Sequence, residues 1–181
     1  MVVMNNQAKA RRGFNLVEAA IVLGVVGLVI GGIWVAAAAV QSNLRKSDAS
    51  KGLIQIVQNV RNLYYGQTPT ANGDITSQLI SANAIPGNFV SGTTAINPWN
   101  GAITVSIAGT SDQIDVALAA LPRDACIELT SRNTNISTGV GLTQLVIGTA
   151  SAITSFPYLP TQAATACAAT NTVTWRFGLR G

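Results

Sequence analysis

The chain has 181 residues, of which 48% are hydrophobic and only 10% charged, with a formal net charge of +4. That length suits one domain plus an appendage, and so little charge points to a membrane or assembly role. Histidine is absent, which removes the base or ligand that Ser-His-Asp, Cys-His and most zinc sites need; the chain reads as a non-enzyme with no catalytic residue, metal or cofactor.

Residues 1–13, MVVMNNQAKARRG, are polar and basic and hold no apolar core. Lys9, Arg11 and Arg12 carry most of the excess charge, since the other eight basic residues nearly balance the seven acidic ones. The positive balance is therefore a targeting feature, and no specific nucleic-acid partner is expected. Ala19 to Val40 gives 22 residues without a charge, AAIVLGVVGLVIGGIWVAAAAV, enough for the roughly 20 that cross a bilayer core as a helix. Arg11 and Arg12 place the leader on the cytoplasmic side and everything after Val40 outside. No A-x-A site follows a short apolar core, so removal by the ordinary signal peptidase is not expected. Glu18 stands at the start of the run, where a carboxylate is costly. Gly27 and Gly31 form GxxxG, which permits close helix approach, and Gly31-Gly32 is a point where the helix can loosen.

The helical signal continues through QSNLRKSDASKGLIQIVQNVRNLYYG, where Leu53, Val57, Val60 and Tyr64 recur at steps of four, three and four and line one face. Gly52 is its weak point, at about 1 kcal/mol relative to alanine. A single helix from Phe14 to Tyr65 is roughly 78 Å long at about 1.5 Å per residue, so residues 14–40 form the membrane or core half and 41–66 an amphipathic half resting on a head. Gly66 and Pro69 end it, and residues 67–181 form the head. Asp74 is placed to cap a short helix, ITSQLISAN, with Ile75, Leu79 and Ile80 inward. Ile103, Val105 and Ile107 alternate in one strand and Ile114, Val116 and Leu118 in the next, which reads as a β-hairpin. Pro122 opens a helix, PRDACIELTSR; TQLVIG is a strand; VTWRF is a final strand with Val173, Trp175 and Phe177 inward. Residues 133–170, dominated by Gly, Ala, Ser and Thr, read as a long irregular excursion. Cys126 and Cys167, 41 positions apart, pair naturally as a disulfide in an exported chain, bounding 126–167; two unpaired buried thiols are the alternative. Trp99 is read as a turn residue packed on the sheet edge, the pair Tyr64-Tyr65 as joining helix to head, and Asn135-Ile136-Ser137 as a chance match to a glycosylation acceptor. The fold class is α+β: a long N-terminal helix on a small antiparallel sheet.

Gly13, Phe14, Asn15, Leu16, Val17 and Glu18 resemble the leader-cleavage motif of type IV prepilins, in which a basic leader ends in glycine and a glutamate stands fifth in the mature chain. The resemblance runs from residue 11 to about 65 and implies cleavage between Gly13 and Phe14 by a prepilin peptidase, N-methylation of Phe14, and a register role for Glu18, which neutralises the new amine. NPWNGAITVSIAG, LPRDACIELTSR and Cys167 ahead of VTWRF look like the head of type IVb pilins, as in conjugative thin pili and enteric pili. Two features depart from that subclass: Phe14 is more usual in the IVa group, and a leader of 13 residues lies between the short and long classes.

What the resemblance implies is a major pilin, held in the bacterial inner membrane and then polymerised with itself into an extracellular filament for adhesion, aggregation or conjugation. Its implied partners are the prepilin peptidase, the inner-membrane assembly machinery, an outer-membrane secretin, and a host or recipient cell surface. A type II secretion pseudopilin or minor pilin is the alternative within that class, and a membrane-anchored periplasmic binding module that never polymerises is the alternative outside it.

Overall fold

The computed structural model describes residues 15–67, 69, 73–108, 112–137 and 140–179. The chain divides into two compact units, residues 1–42 and 43–181, and helix α1, Leu16–Leu63, runs through both. In the second unit α1 buries Ala49, Ser50, Gly52, Leu53, Ile56, Val57 and Val60, a stripe at steps of three and four that only a helix brings onto one face. The expected face is present, with Tyr64 half-buried at its end and Ile56 and Ala49 widening it. Gly66, at φ +73°, takes the left-handed conformation that stops a helix without a Cβ penalty.

After α1 come β1 (Gly73–Asp74), α2 (Thr76–Ser81), a 3₁₀ turn (Gly87–Phe89), the two-residue strands β2 (Val90–Ser91) and β3 (Thr94–Ala95), β4 (Ile103–Ala108), β5 (Gln113–Pro122), α3 (Arg123–Ser137), β6 (Leu142–Ile147), α4 (Pro160–Ala166) and β7 (Thr170–Gly178). Five strands make one antiparallel sheet in the order β1-β4-β5-β7-β6. Its register aligns the alternating apolar residues into rows. Val105, Val116, Trp175 and Leu145 are successive partners across four strands, and each is fully buried. Parallel rows are formed by Ile107, Ile114, Phe177 and Leu142, and by Ile103, Leu118, Val173 and Ile147. These rows and the α1 stripe form one core; each fully buried large side chain contributes about 1.5–3 kcal/mol relative to exposure.

Each edge of the sheet is met in part by a neighbouring segment. Beside the two-residue β1, the Val105 N–H donates to Thr76 Oγ1 at 2.8 Å and the Ile75 N–H donates to the Val105 carbonyl at 2.9 Å. On the other edge, Leu145 and Ile153 exchange backbone hydrogen bonds of 2.9 and 2.8 Å, so a segment without regular structure meets β6 at Leu145.

The structure corrects several expectations. Pro122 ends β5 instead of opening α3, which begins at Arg123; proline lacks an N–H and loses nothing at a strand end. Asp74 lies two residues before α2, not at its cap, yet its Oδ1 accepts the Thr76 N–H at 2.8 Å and the Thr76 hydroxyl at 2.5 Å. Ile75 and Leu79 are buried, whereas Ile80 is half-buried. Residues 133–170 are not one irregular excursion: they contain the end of α3, all of β6 and all of α4. Small residues are what let α4 lie close, with Ala163 fully buried.

Gly52 is a contact point, not a flaw. A Cβ there would lie 2.2 Å from Phe89 Cε2, and Phe89 is itself buried. Gly52→Ala therefore lowers the thermal midpoint of the full chain in detergent: overpacking costs about 1–3 kcal/mol, against about 1 kcal/mol gained in helix propensity. A midpoint that stays put or rises would show that the ring moves aside freely.

Candidate assembly surface

The first unit presents apolar surface that nothing in it covers. From Leu16 to Val40 α1 is apolar apart from Glu18, with a mean hydropathy of 2.5 in its most apolar window and none of that window buried. Leu16, Leu28, Trp34 and Val35 are 74–83% exposed, a density of solvent-facing large apolar groups that marks a membrane or subunit interface. Glu18 lies in the first turn, where a carboxylate suits the positive end of the helix dipole. Asn15 precedes the helix: its carbonyl accepts the Ala19 N–H at 3.1 Å and its Oδ1 the Val17 N–H at 3.4 Å. Gly13 and Phe14 lie outside the described residues. Gly27, Gly31 and Gly32 sit within unbroken helix, and a Cβ at any of them meets no neighbouring atom, so their surface is open to a close approach from outside.

In the second unit α1 is fastened to the head by polar contacts that its apolar stripe did not reveal. Arg61, in the last turn, donates from Nε to the Gly178 carbonyl at 2.9 Å and from Nη2 to the Val140 carbonyl at 2.7 Å. Burial pulls this guanidinium below its ordinary value, yet arginine keeps its charge in proteins. Ser50 Oγ donates to Asn133 Oδ1 at 2.5 Å inside the α1–α3 contact. Lys46 Nζ lies 3.0 Å from Asp124 Oδ2 and 3.1 Å from Glu128 Oε2. Burial works against the Lys46 ammonium, but the two carboxylates outweigh it and raise its pKa. Burial likewise works against the Asp124 carboxylate, but Lys46 together with the Ala125 and Asp124 backbone N–H groups outweighs it and lowers that pKa. These ion pairs link the helix to α3.

Cys126 and Cys167 form the expected disulfide, with Cα atoms 6.0 Å apart, tying α3 to the residue that follows α4. Arg123 Nη2 runs alongside and donates to the Ala164 carbonyl at 2.9 Å. Trp99 is half-buried against the core, in a turn organised by Asn97, whose Oδ1 accepts the N–H groups of Trp99 and Gly101 and whose Nδ2 donates to the Ala119 carbonyl. Tyr64 packs on the core, whereas Tyr65 is 88% exposed and does not join helix to head. The Asn135-Ile136-Ser137 tripeptide lies within α3. Among the described residues no group of three His, Cys, Asp or Glu is placed to hold a metal.

The first unit thus leaves an apolar helix surface open, the second holds a disulfide-bonded head, and the comparisons with known proteins place the chain among pilus subunits in similarity. The PilS N-terminal family model matches residues 43–177. The major structural subunits of the bundle-forming pilus from Escherichia coli O111:H- and from Escherichia coli O127:H6 are each 28% identical over 189 aligned positions, covering 96% of this chain and 96% of the relative. A crystal structure of a type IVb pilin from Salmonella typhi shares the fold with a TM-score of 0.60 at 21% identity, covering 73% of this chain and 99% of that one. The chain therefore belongs to the PilS family and has the fold of a type IVb pilin.

Proposed function

We propose that this chain is the major structural subunit of a type IVb pilus, inserted in the inner membrane and then polymerised into an extracellular filament. The observation that carries this reading is the 48-residue α1: its second half completes the head core, and its first half is apolar and uncovered. Buried apolar area among many such helices supplies the filament's cohesion. The heads then present the surface that contacts a host or recipient cell, for adhesion, aggregation or conjugation.

On this reading residues 1–13 are removed, residues 14–40 become filament core, 41–66 the amphipathic half, and 67–181 the head. A prepilin peptidase cuts between Gly13 and Phe14 and methylates the Phe14 amine. Glu18 pairs with that amine and fixes register, Gly27, Gly31 and Gly32 allow close packing or local loosening, and an inner-membrane machine and outer-membrane secretin extrude the polymer. No catalysis by this chain enters the reading. Mass spectrometry of sheared filaments tests it: this chain is the dominant component and begins with N-methyl-Phe14. An intact leader, or a chain that remains in the membrane while filaments form without it, overturns it.

A further inference from the structure

The second half of α1 has one face on the head core, so its opposite face points away from everything in its own unit. Leu44, Asp48, Lys51 and Gln55 recur there at steps of four, three and four and are all exposed. At about 100° per residue they fall within one narrow stripe, with Leu44 57% exposed. Arg45 flanks the stripe, also exposed.

The charges on this stripe differ from the others on α1. Lys46 is engaged by Asp124 and Glu128, and Arg61 by two carbonyls. Asp48, Lys51 and Arg45 are in no ion pair among the described residues. Asp48 and Lys51 balance each other, and with Arg45 the patch carries a single positive charge, too little to draw an anionic lipid surface or a polyanion. It suits a surface bearing the same two charges, because an acid and a base one turn apart on one helix complement the same pair on a parallel helix displaced along its axis.

We infer that this stripe is a contact between copies of the chain, in which Asp48 of one copy takes Lys51 of the next; the inference rests on the pilus-subunit reading. The contact is heterologous, with each copy using its acid toward one neighbour and its base toward another, the arrangement that yields an open filament instead of a closed dimer. Complementary charges of this kind set register and exclude wrong alignments more than they add raw affinity.

Charge reversal in cells that assemble the pilus tests it. Asp48→Lys alone places like charges in every contact, and Lys51→Asp alone does the same with opposite sign. Each is expected to lower sheared filament by about tenfold or more, while cellular subunit level and the oxidised mobility on a non-reducing gel stay at the wild-type value. Co-expression of the two variants restores filaments. In an alternating copolymer the lysine introduced at position 48 meets the aspartate introduced at position 51 of its neighbour, and at the next contact the native Asp48 meets the native Lys51. Normal filament from either single variant overturns the inference. So does recovery only when both changes sit in one chain, which places the pairing within a single helix. If the wild-type chain itself yields no filament, the pilus-subunit reading fails first and this one with it.

Discussion

Glu18→Ala yields a subunit that is still cleaved and still reaches the membrane but builds filaments about a hundredfold less well. In the proposed assembly Glu18 has one role, to neutralise the amine that cleavage creates at Phe14 among apolar helices. Leaving one partner of a buried ion pair uncompensated costs about 3–5 kcal/mol, and a tenfold change in an equilibrium needs only about 1.4 kcal/mol. Cleavage is spared because the cut lies before the helix. Glu18→Gln separates charge from hydrogen bonding: it keeps the shape and loses the neutralisation, so it fails nearly as badly. The measurement is sheared filament against membrane-bound mature subunit on one blot. Normal pili from Glu18→Ala would refute the pairing role, and loss of cleavage would assign Glu18 to recognition by the peptidase.

The disulfide carries the second large effect. Closing a loop with a sequence separation of 41 stabilises the folded head by about 4 kcal/mol in the chain-entropy model, whose mechanism is model-dependent. Small domains have only about 5–15 kcal/mol in total, so the double variant Cys126→Ala, Cys167→Ala loses a large share of it. Alanine is the right replacement because both cysteines are buried, at 0% and 4% exposure, and a serine hydroxyl there would add its own desolvation cost. Urea denaturation of full-length subunit in detergent reads the loss directly. A midpoint indifferent both to reductant and to the double substitution would mean the α3–α4 contact holds without the bond. The loop contains β6 and α4, so loosening reaches the sheet edge before the central strands.

The parts of the fold that were legible in the sequence are those governed by short periods. Alternation in ITVSIA, DVAL and VTWRF reports one buried face per strand, and the sheet register lines those faces up. Steps of three and four after Val40 report the α1 stripe. What could not be read depends on contacts between distant positions. Arg61 reaches carbonyls 79 and 117 positions away, and a basic residue in a last helical turn is the only local hint of it. Gly52 reads as a propensity defect in the sequence because its reason, the Phe89 ring, lies in another element. Composition misled across 133–170, since threonine and alanine serve β6 and α4 as well as they serve loops. Tyr65 misled in the opposite direction: an aromatic residue beside a packed one carries no local sign that it faces solvent. The candidate assembly residues divide likewise. The apolar segment is evident from its length, whereas the lack of ion pairs at Asp48 and Lys51 among the described residues is visible only once the head's own ion pairs are known.

The partly occupied sheet edges bear on what a crowded polymer can tolerate. A filament holds heads side by side at a local concentration no solution reaches, and an open strand edge there is a template for irreversible cross-pairing. The Thr76 hydroxyl occupies a backbone donor on one edge and Ile153 takes the exposed partners of Leu145 on the other. At these positions a neighbouring head's strand finds the backbone partners already taken, which limits edge-to-edge pairing where heads crowd.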